Sequence, residues 1–247
     1  MSKAHDYCKQ QVLSLDRARG LALLTAPRRH QDGLFALHAF NLELAKVAPL
    51  VSEPTLGEIR FQWWRDALAE LQAQGAARQH PVVLALQDFP QTWAQCLNLI
   101  DGWSSAASAE QTDNWEALEE LFKATNGQLA LTCLALARFN TPSNALVSNL
   151  ATTWGYGSVL HAFLRTQAAS LLPKALDTTD PELAIKALQD KSQKCLQKLR
   201  ATWKAAPTSE RQMLPMARLC RLRIEDPQNA DDRAAFSLLL QKLKRSL

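Results

Sequence analysis

The sequence is poor in glycine and in β-branched aliphatic residues. Of 247 residues only 8 are Gly, and 7 Val and 4 Ile stand against 42 Leu. Strands draw on β-branched side chains, whereas Leu, Ala, Gln, Glu, Lys and Arg favour helices. That imbalance excludes an all-β fold and argues against a parallel α/β sheet. No stretch reaches the roughly 18 consecutive apolar residues that a membrane-spanning helix needs. The five cysteines, Cys8, Cys96, Cys133, Cys195 and Cys220, show no C-x-x-C spacing, so neither a disulfide framework nor a zinc site is expected. They read as buried thiols of a reducing compartment. G-x-S-x-G, Walker A, G-x-G-x-x-G and H-E-x-x-H patterns are all missing. The charge balance, 28 basic against 24 acidic residues, leaves +4. That field is too weak for a dedicated nucleic-acid binder, but it suits a mild preference for an anionic membrane surface or an acidic partner. The first residues, MSKAHDYCKQQ, lack the apolar core of a secretory signal and an Arg/Ser-rich transit pattern. A cytoplasmic location is expected.

What is present is helical periodicity cut by breakers. The spacing predicts helices over 4–24, 28–48, 56–74, 82–86, 90–103, 115–125, 129–139, 142–172, 182–206, 209–223 and 231 to the end. Within 56–74, Ile59, Trp63, Ala67 and Leu71 are expected to share the buried face. Thr55 and Glu58 fit a capping box, and Gly75 a C-cap. Residues 104–113 read as a loop. No repeat or linker divides the chain, so one all-α domain spanning 1–247 is expected.

Four clusters could carry chemistry. In Leu56-Gly-Glu-Ile-Arg-Phe-Gln-Trp-Trp-Arg-Asp66, two adjacent tryptophans are interleaved with Arg60 and Arg65. The run reads either as an amphipathic helix or as a polar stripe facing a cavity. In Gly155-Tyr-Gly-Ser-Val-Leu-His-Ala-Phe-Leu-Arg165, two glycines inside a helix each cost about 1 kcal/mol relative to Ala. Close helix approach or room for a ligand would offset that cost, and His161 and Arg165 share a face. Arg28, Arg29 and His30 open a helix, either as a solvated start or as an anion site. Among Lys186, Lys191, Lys194, Lys198, Arg200 and Lys204, the residues Lys191, Lys194 and Lys198 share one helical face, with Leu188, Cys195, Leu199 and Trp203 on another. They form a solvated face or a surface for anionic lipid, and Lys242, Lys244 and Arg245 follow.

Pro27 to Phe40, Leu56 to Leu68, His80-Pro81-Val-Val and Gly155 to Arg165, in that order, resemble the squalene/phytoene synthase family over about Tyr7 to Pro173. The resemblance implies an all-α isoprenoid-synthase-like helical bundle around a central apolar cavity, expected to be lined by Leu37, Phe40, Trp63, Leu131 and Leu160. It also implies two opposed aspartate-rich motifs that bind Mg²⁺ and diphosphate. Here the first motif's acidic positions hold Ala45, Lys46 and Pro49, with Glu43 displaced from the pattern, and the second holds Thr166 and Ser170. The loss of both clusters implies a catalytically degenerate member, and Asn41 and Glu43 with the Arg60-to-Asp66 block resemble the subgroup of respiratory complex I assembly factors, which is peripheral to the inner membrane.

Three readings are open. The first is a non-catalytic assembly or binding factor with no catalytic residue, no metal and no cofactor. Its partners would be a respiratory-complex subunit or assembly protein, an isoprenoid or lipid in the cavity and an anionic membrane surface, but no nucleic acid. Its location would be cytoplasmic, or peripheral on the inner face of the membrane. Glu43, Arg60, Arg65, His161 and Arg165 are its candidate polar patch at the cavity mouth. The second is an active head-to-head prenyltransferase that holds Mg²⁺ through Glu43 with Asp32, Glu58 or Asp66. The third is a helical scaffold with a collapsed interior.

Overall fold

The computed structural model describes residues 2–47, 54–75, 77–108, 111–139, 141–166, 170, 172–176 and 180–225, the side chains of Pro54, Gln74 and Arg165 excepted. Among the described residues there is no strand. The helices are α1 (Lys3–Leu15), α2 (Arg17–Leu23), α3 (Arg28–Ala45), α4 (Pro54–Gln74), α5 (Pro81–Leu86), α6 (Trp93–Ser108), α7 (Trp115–Phe122), α8 (Gln128–Leu136), α9 (Asn144–Thr166), α10 (Pro181–Ala205), α11 (Thr208–Met213) and α12 (Ala217–Glu225). A 3₁₀ turn, Pro90–Thr92, leads into α6, and a π turn, Lys123–Gly127, joins α7 to α8. The helix predicted over 231 to the end, and Lys242, Lys244 and Arg245, lie outside the described residues.

Side-chain acceptors cap several of the helix starts. Ser2, Asn114 and Asp180 accept from backbone N–H groups of the first turns of α1, α7 and α10, and the His80 ring accepts from Val82 N. Gly75, at φ 62°, ends α4 in the left-handed conformation expected of it. Glu58 does not complete a capping box, because its two oxygens are held by Arg65 and Ser104.

Several stretches depart from the predicted boundaries, and the helix predicted over 142–172 ends at Thr166. The helix predicted over 4–24 is two helices. They part at Asp16 (φ −147°, ψ 83°), whose carboxylate then caps α2 at Arg19 N. The helix predicted over 209–223 breaks at Leu214–Met216, where Pro215 has no N–H to offer a helix. Residues 104–108, expected to be loop, extend α6.

Leu34, Phe35, Leu37 and Phe40 of α3 are wholly or almost wholly buried, in a core shared with α1, α2, α4, α5, α6 and α8. Each fully buried side chain of this size contributes roughly 1.5–3 kcal/mol. The buried face of α4 is Phe61, Trp64, Ala67, Leu68 and Leu71, so Ala67 and Leu71 are buried as expected, while Trp63 is half-buried and Ile59 is 61% exposed. Apolar residues at 59, 61, 63 and 64 permit two helical stripes, and the one that meets Phe40, its ring 5.2 Å from Trp64, is buried. A second core joins α7, the later part of α9 and α10 through Leu118, Phe122, Tyr156, Leu160 and Leu188. Helix α9 packs along α10 and touches α7, α8, α12 and the π turn. Gly155 serves close approach, whereas Gly157 has room for a Cβ at ordinary contact distance. A Cβ on Gly155 would stand 2.2 Å from Cγ of Phe122, and one on Gly157 would stand 3.4 Å from Cβ of Arg223.

Candidate functional site

The end of α3 is where the family's first acidic motif should stand. Asn41 is buried, and its Oδ1 accepts from Trp103 Nε1 at 2.9 Å. Glu43 accepts from the Gln11 amide and pairs with Lys46 Nζ at 3.0 Å. Ala45 has no donor atom, and Lys46 places a cation where a carboxylate would be needed. Pro49 lies outside the described residues. At the second motif, Thr166 Oγ1 bonds back to the Ala162 carbonyl at 2.9 Å, and Ser170 is exposed. Mg²⁺ asks for several hard oxygen ligands converging on one point. No group of three His, Cys, Asp or Glu side chains arranged to hold a metal occurs among the described residues. Glu58 and Asp66 are instead held by Arg65 and Arg78, and neither they nor Asp32 join Glu43 in such a group. The described residues at these positions do not assemble a Mg²⁺–diphosphate site.

The five expected patch residues lie on three helices, α3, α4 and α9. Arg60 is exposed on α4. Arg65, on the same helix, bridges Glu58 at 2.6 Å and Asp101 of α6 at 2.9 Å. Glu43 is taken by Gln11 and Lys46 at the end of α3. His161 and Arg165 lie near the end of α9, His161 half-buried and the Arg165 side chain outside the described residues. Neither the Arg65 pairs nor the Glu43 pairs include another member of the patch. Arg29 donates through Nε to His30 Nε2 at 3.0 Å on an exposed helix start.

A more concentrated polar cluster forms elsewhere, on residues the sequence did not single out. Asp16 Oδ2 accepts from Arg19 Nε at 3.0 Å and from Arg223 Nη2 at 3.1 Å, and its Oδ1 accepts from Arg19 N at 2.9 Å. Both guanidinium groups approach the Trp154 ring, Arg223 at 4.1 Å and Arg19 at 5.6 Å from its centroid, a cation–π arrangement. All three charged side chains are nearly buried. Burial alone would raise the Asp16 carboxyl, but Arg19 and Arg223 beside it hold it below the usual carboxylate value. His38, on α3, is 1% exposed. Burial, reinforced by Arg19, pushes it down to about 3, so the imidazole is neutral at physiological pH. Its Nε2 lies 3.8 Å from Cys133 Sγ, a thiol that burial pushes up to about 12.

Arg19, His38, Asn126, Cys133 and Trp154 border a cavity of about 30 Å³, together with apolar residues of α8, α9 and the 213–216 bend. That volume has room for one or two water molecules. Pockets that enclose a drug-sized molecule run to ~300–1,000 Å³, so an isoprenoid chain would require these walls to move. Leu37, Phe40, Trp63, Leu131 and Leu160, expected to line a cavity, are not in this wall but pack in the two cores. Two helix breaks and the π turn bring the polar residues together. Only the i,i+3 spacing of Asp16 and Arg19 was a local signal for any of it.

Residues 14–165, more than half of the chain, match the squalene/phytoene synthase family model. Over 83 residues the chain is 37% identical to "NADH dehydrogenase (ubiquinone) complex I, assembly factor 6" of Rattus norvegicus, a stretch that is 34% of this chain and 25% of that protein. Over 80 residues it is 35% identical to the Homo sapiens protein of that name, 32% of this chain and 24% of that one. The match thus takes in about a quarter of the length of these curated relatives. A dehydrosqualene synthase solved in complex with ligand superposes with a TM-score of 0.68 at 16% identity, over 99% of this chain and 98% of that one. Squalene synthase HpnC from Alicyclobacillus acidocaldarius does so with 0.68 at 15%, over 96% and 94%. At such identities the superpositions establish the all-α isoprenoid-synthase fold. Fold, motif order and family match agree: the chain belongs to the squalene/phytoene synthase family.

Proposed function

We propose that this chain is a non-catalytic member of its family that acts as an assembly-type factor for the respiratory NADH dehydrogenase, complex I. The observation that carries the reading is the Lys46–Glu43 ion pair at 3.0 Å, which puts a salt bridge where a diphosphate-binding member needs free carboxylates. A leaving diphosphate carries several negative charges, and hard cations on oxygen ligands are the usual means of holding it. The similarity to complex I assembly factor 6 proteins supports the choice of partner.

The exposed face of α10 suggests how such a factor meets its surroundings. Ala184, Leu188, Cys195, Leu196 and Leu199 are buried, while Lys186, Lys194, Lys198 and Lys204 are exposed. Lys191 is the exception on that face, half-buried over the Trp115 ring. Among the described residues no helix is long and apolar enough to cross a membrane. A basic face of this kind would hold the protein peripherally on the anionic inner surface, at about 1 kcal/mol per Lys near the bilayer.

The test is genetic and biochemical. Deleting the gene in the organism that carries it should lower assembled NADH dehydrogenase on native gels and leave isoprenoid products unchanged. Tagged protein captured from detergent-solubilised membranes should retain subunits of that complex. Normal complex levels in the deletion strain, or a loss of isoprenoid products, would overturn the reading.

A further inference from the structure

The cavity beside Trp154 plays no part in the proposed assembly role, and its chemistry is independent of that role. Three polar side chains from three separate elements meet at its wall: Arg19 of α2, His38 of α3 and Asn126 of the π turn. Each brings hydrogen-bonding capacity to it. Among the described residues Asp16 alone takes a hydrogen bond from the Arg19 guanidinium, through Nε at 3.0 Å. The terminal nitrogens of that group remain as donors. His38 is 1% exposed, and its Nδ1 has no hydrogen-bond partner. Asn126 is half-buried, and its amide can both donate and accept. A buried polar group left unpaired is costly.

The set mixes donors with acceptors. Arg19 only donates. The neutral His38 imidazole donates from one nitrogen and accepts at the other. Cys133 Sγ stands 3.8 Å from Nε2. A thiol proton given to Nε2 makes Nδ1 the donor, and the other tautomer makes Nδ1 the acceptor. A simple anion suits only the first case. Water suits both, because it donates and accepts. It also carries no charge, so its place is independent of how the charges around Asp16 balance. The size agrees: about 30 Å³ takes one water or two and leaves no space for an isoprenoid chain or a diphosphate.

We propose that this cavity is an internal hydration site, in which one or two ordered water molecules bridge the Arg19 guanidinium, His38 Nδ1 and the Asn126 side chain. The bridge ties α2, α3 and the π turn together at a point where their side chains do not bond one another directly. The π turn is what sets Asn126 at the wall, and such distortions are frequent at functional sites. It is held from behind by α6. A Cβ on Gly102 would stand 1.9 Å from the Ala124 carbonyl oxygen, so helix and turn meet backbone to backbone. Water bonded in this way belongs to the fold as a side chain does.

Crystallography and NMR read the site directly. A crystal structure fine enough to show ordered water should place density about 2.7–3.2 Å from His38 Nδ1 and from a terminal nitrogen of Arg19. In solution, ¹⁷O relaxation dispersion measures water that stays bound longer than the protein tumbles, without interference from exchanging protons. Asn126→Leu removes one bonding partner and fills part of the space with carbon. It should lose the dispersion amplitude of at least one long-lived water. The chain has three methionines, Met1, Met213 and Met216, and the last two line the cavity. In protein labelled with ¹³C at the methionine methyls, water cross-peaks should reach Met213 or Met216 and weaken in Asn126→Leu. The wild-type density and cross-peaks keep the test decisive if that variant does not fold. A cavity without density in the crystal, density larger than two waters, wild-type dispersion amplitude in folded Asn126→Leu, or no water cross-peak at either methyl would each overturn the proposal.

Discussion

Arg223, on the last described helix, reaches back 207 residues to share an oxygen of Asp16 with Arg19, at 3.1 Å. The contact ties α12 to the break between α1 and α2, and it does so over the face of Trp154. Asp16→Asn preserves the helix cap but removes the carboxylate that two nearly buried guanidinium groups share. Removing one partner of a buried ion pair costs about 3–5 kcal/mol, and urea unfolding should show a loss of that order. Because Asp16 is held below its unfolded value near 3.9, its stabilising contribution is complete above that pH and fades as pH falls through the folded value. The Asn variant should lack this part of the acid-side decline. A loss below about 1 kcal/mol would mean that the cluster is worth no more than a surface pair.

His38 makes a second pH prediction in a different window. Its folded value of about 3 lies below the unfolded value near 6.5. Between those limits the unfolded chain binds a proton that the folded protein does not. Stability should therefore fall as pH drops from about 6.5, by up to about 1.4 kcal/mol per unit. Denaturant midpoints from pH 7.5 to 4.5 measure this slope, and His38→Gln should flatten it.

Gly155 is held to glycine by the Phe122 ring, since an added Cβ would come 2.2 Å from Cγ. In an unconstrained helix Gly→Ala gains about 1 kcal/mol. Here overpacking dominates, and Gly155→Ala should destabilise by about 1–3 kcal/mol. Combining it with Phe122→Leu should recover part of the loss.

The five cysteines should be silent in the folded protein. All are buried, and burial pushes Cys96, Cys133 and Cys220 up to about 12. Thiolate reagents at pH 8 should label none in native protein and all five after denaturation. Rapid native labelling at Cys133 would show that the cavity opens to solvent.

Much of the fold was legible because helix starts are local events. Asp180, Asn114 and His80 announce their helices from a few residues away, and Leu-rich stripes with few β-branched residues set the class. The family motifs were equally readable, as were the substitutions at Ala45 and Lys46. The polar cluster was not. Asp16 looks like an ordinary residue inside a helical stripe, and the chain breaks there to use it as a cap. Arg223 lies in another predicted helix, interrupted at 214–216, and only tertiary packing brings the two together. The π turn at 123–127 has no sequence signature comparable to a proline or a cap, yet it sets Asn126 at the cavity. The buried stripe of α4 was legible at Ala67 and Leu71 but not at its start, where four closely spaced apolar residues permit two faces and Phe40 decides between them.

Loss of the fold's diphosphate chemistry is tested most directly by pyrophosphate release from farnesyl or geranylgeranyl diphosphate, measured with purified protein and excess Mg²⁺. Release no faster than the protein-free blank is expected. Turnover at an ordinary enzymatic rate, on the order of 1 s⁻¹ or above, would contradict it.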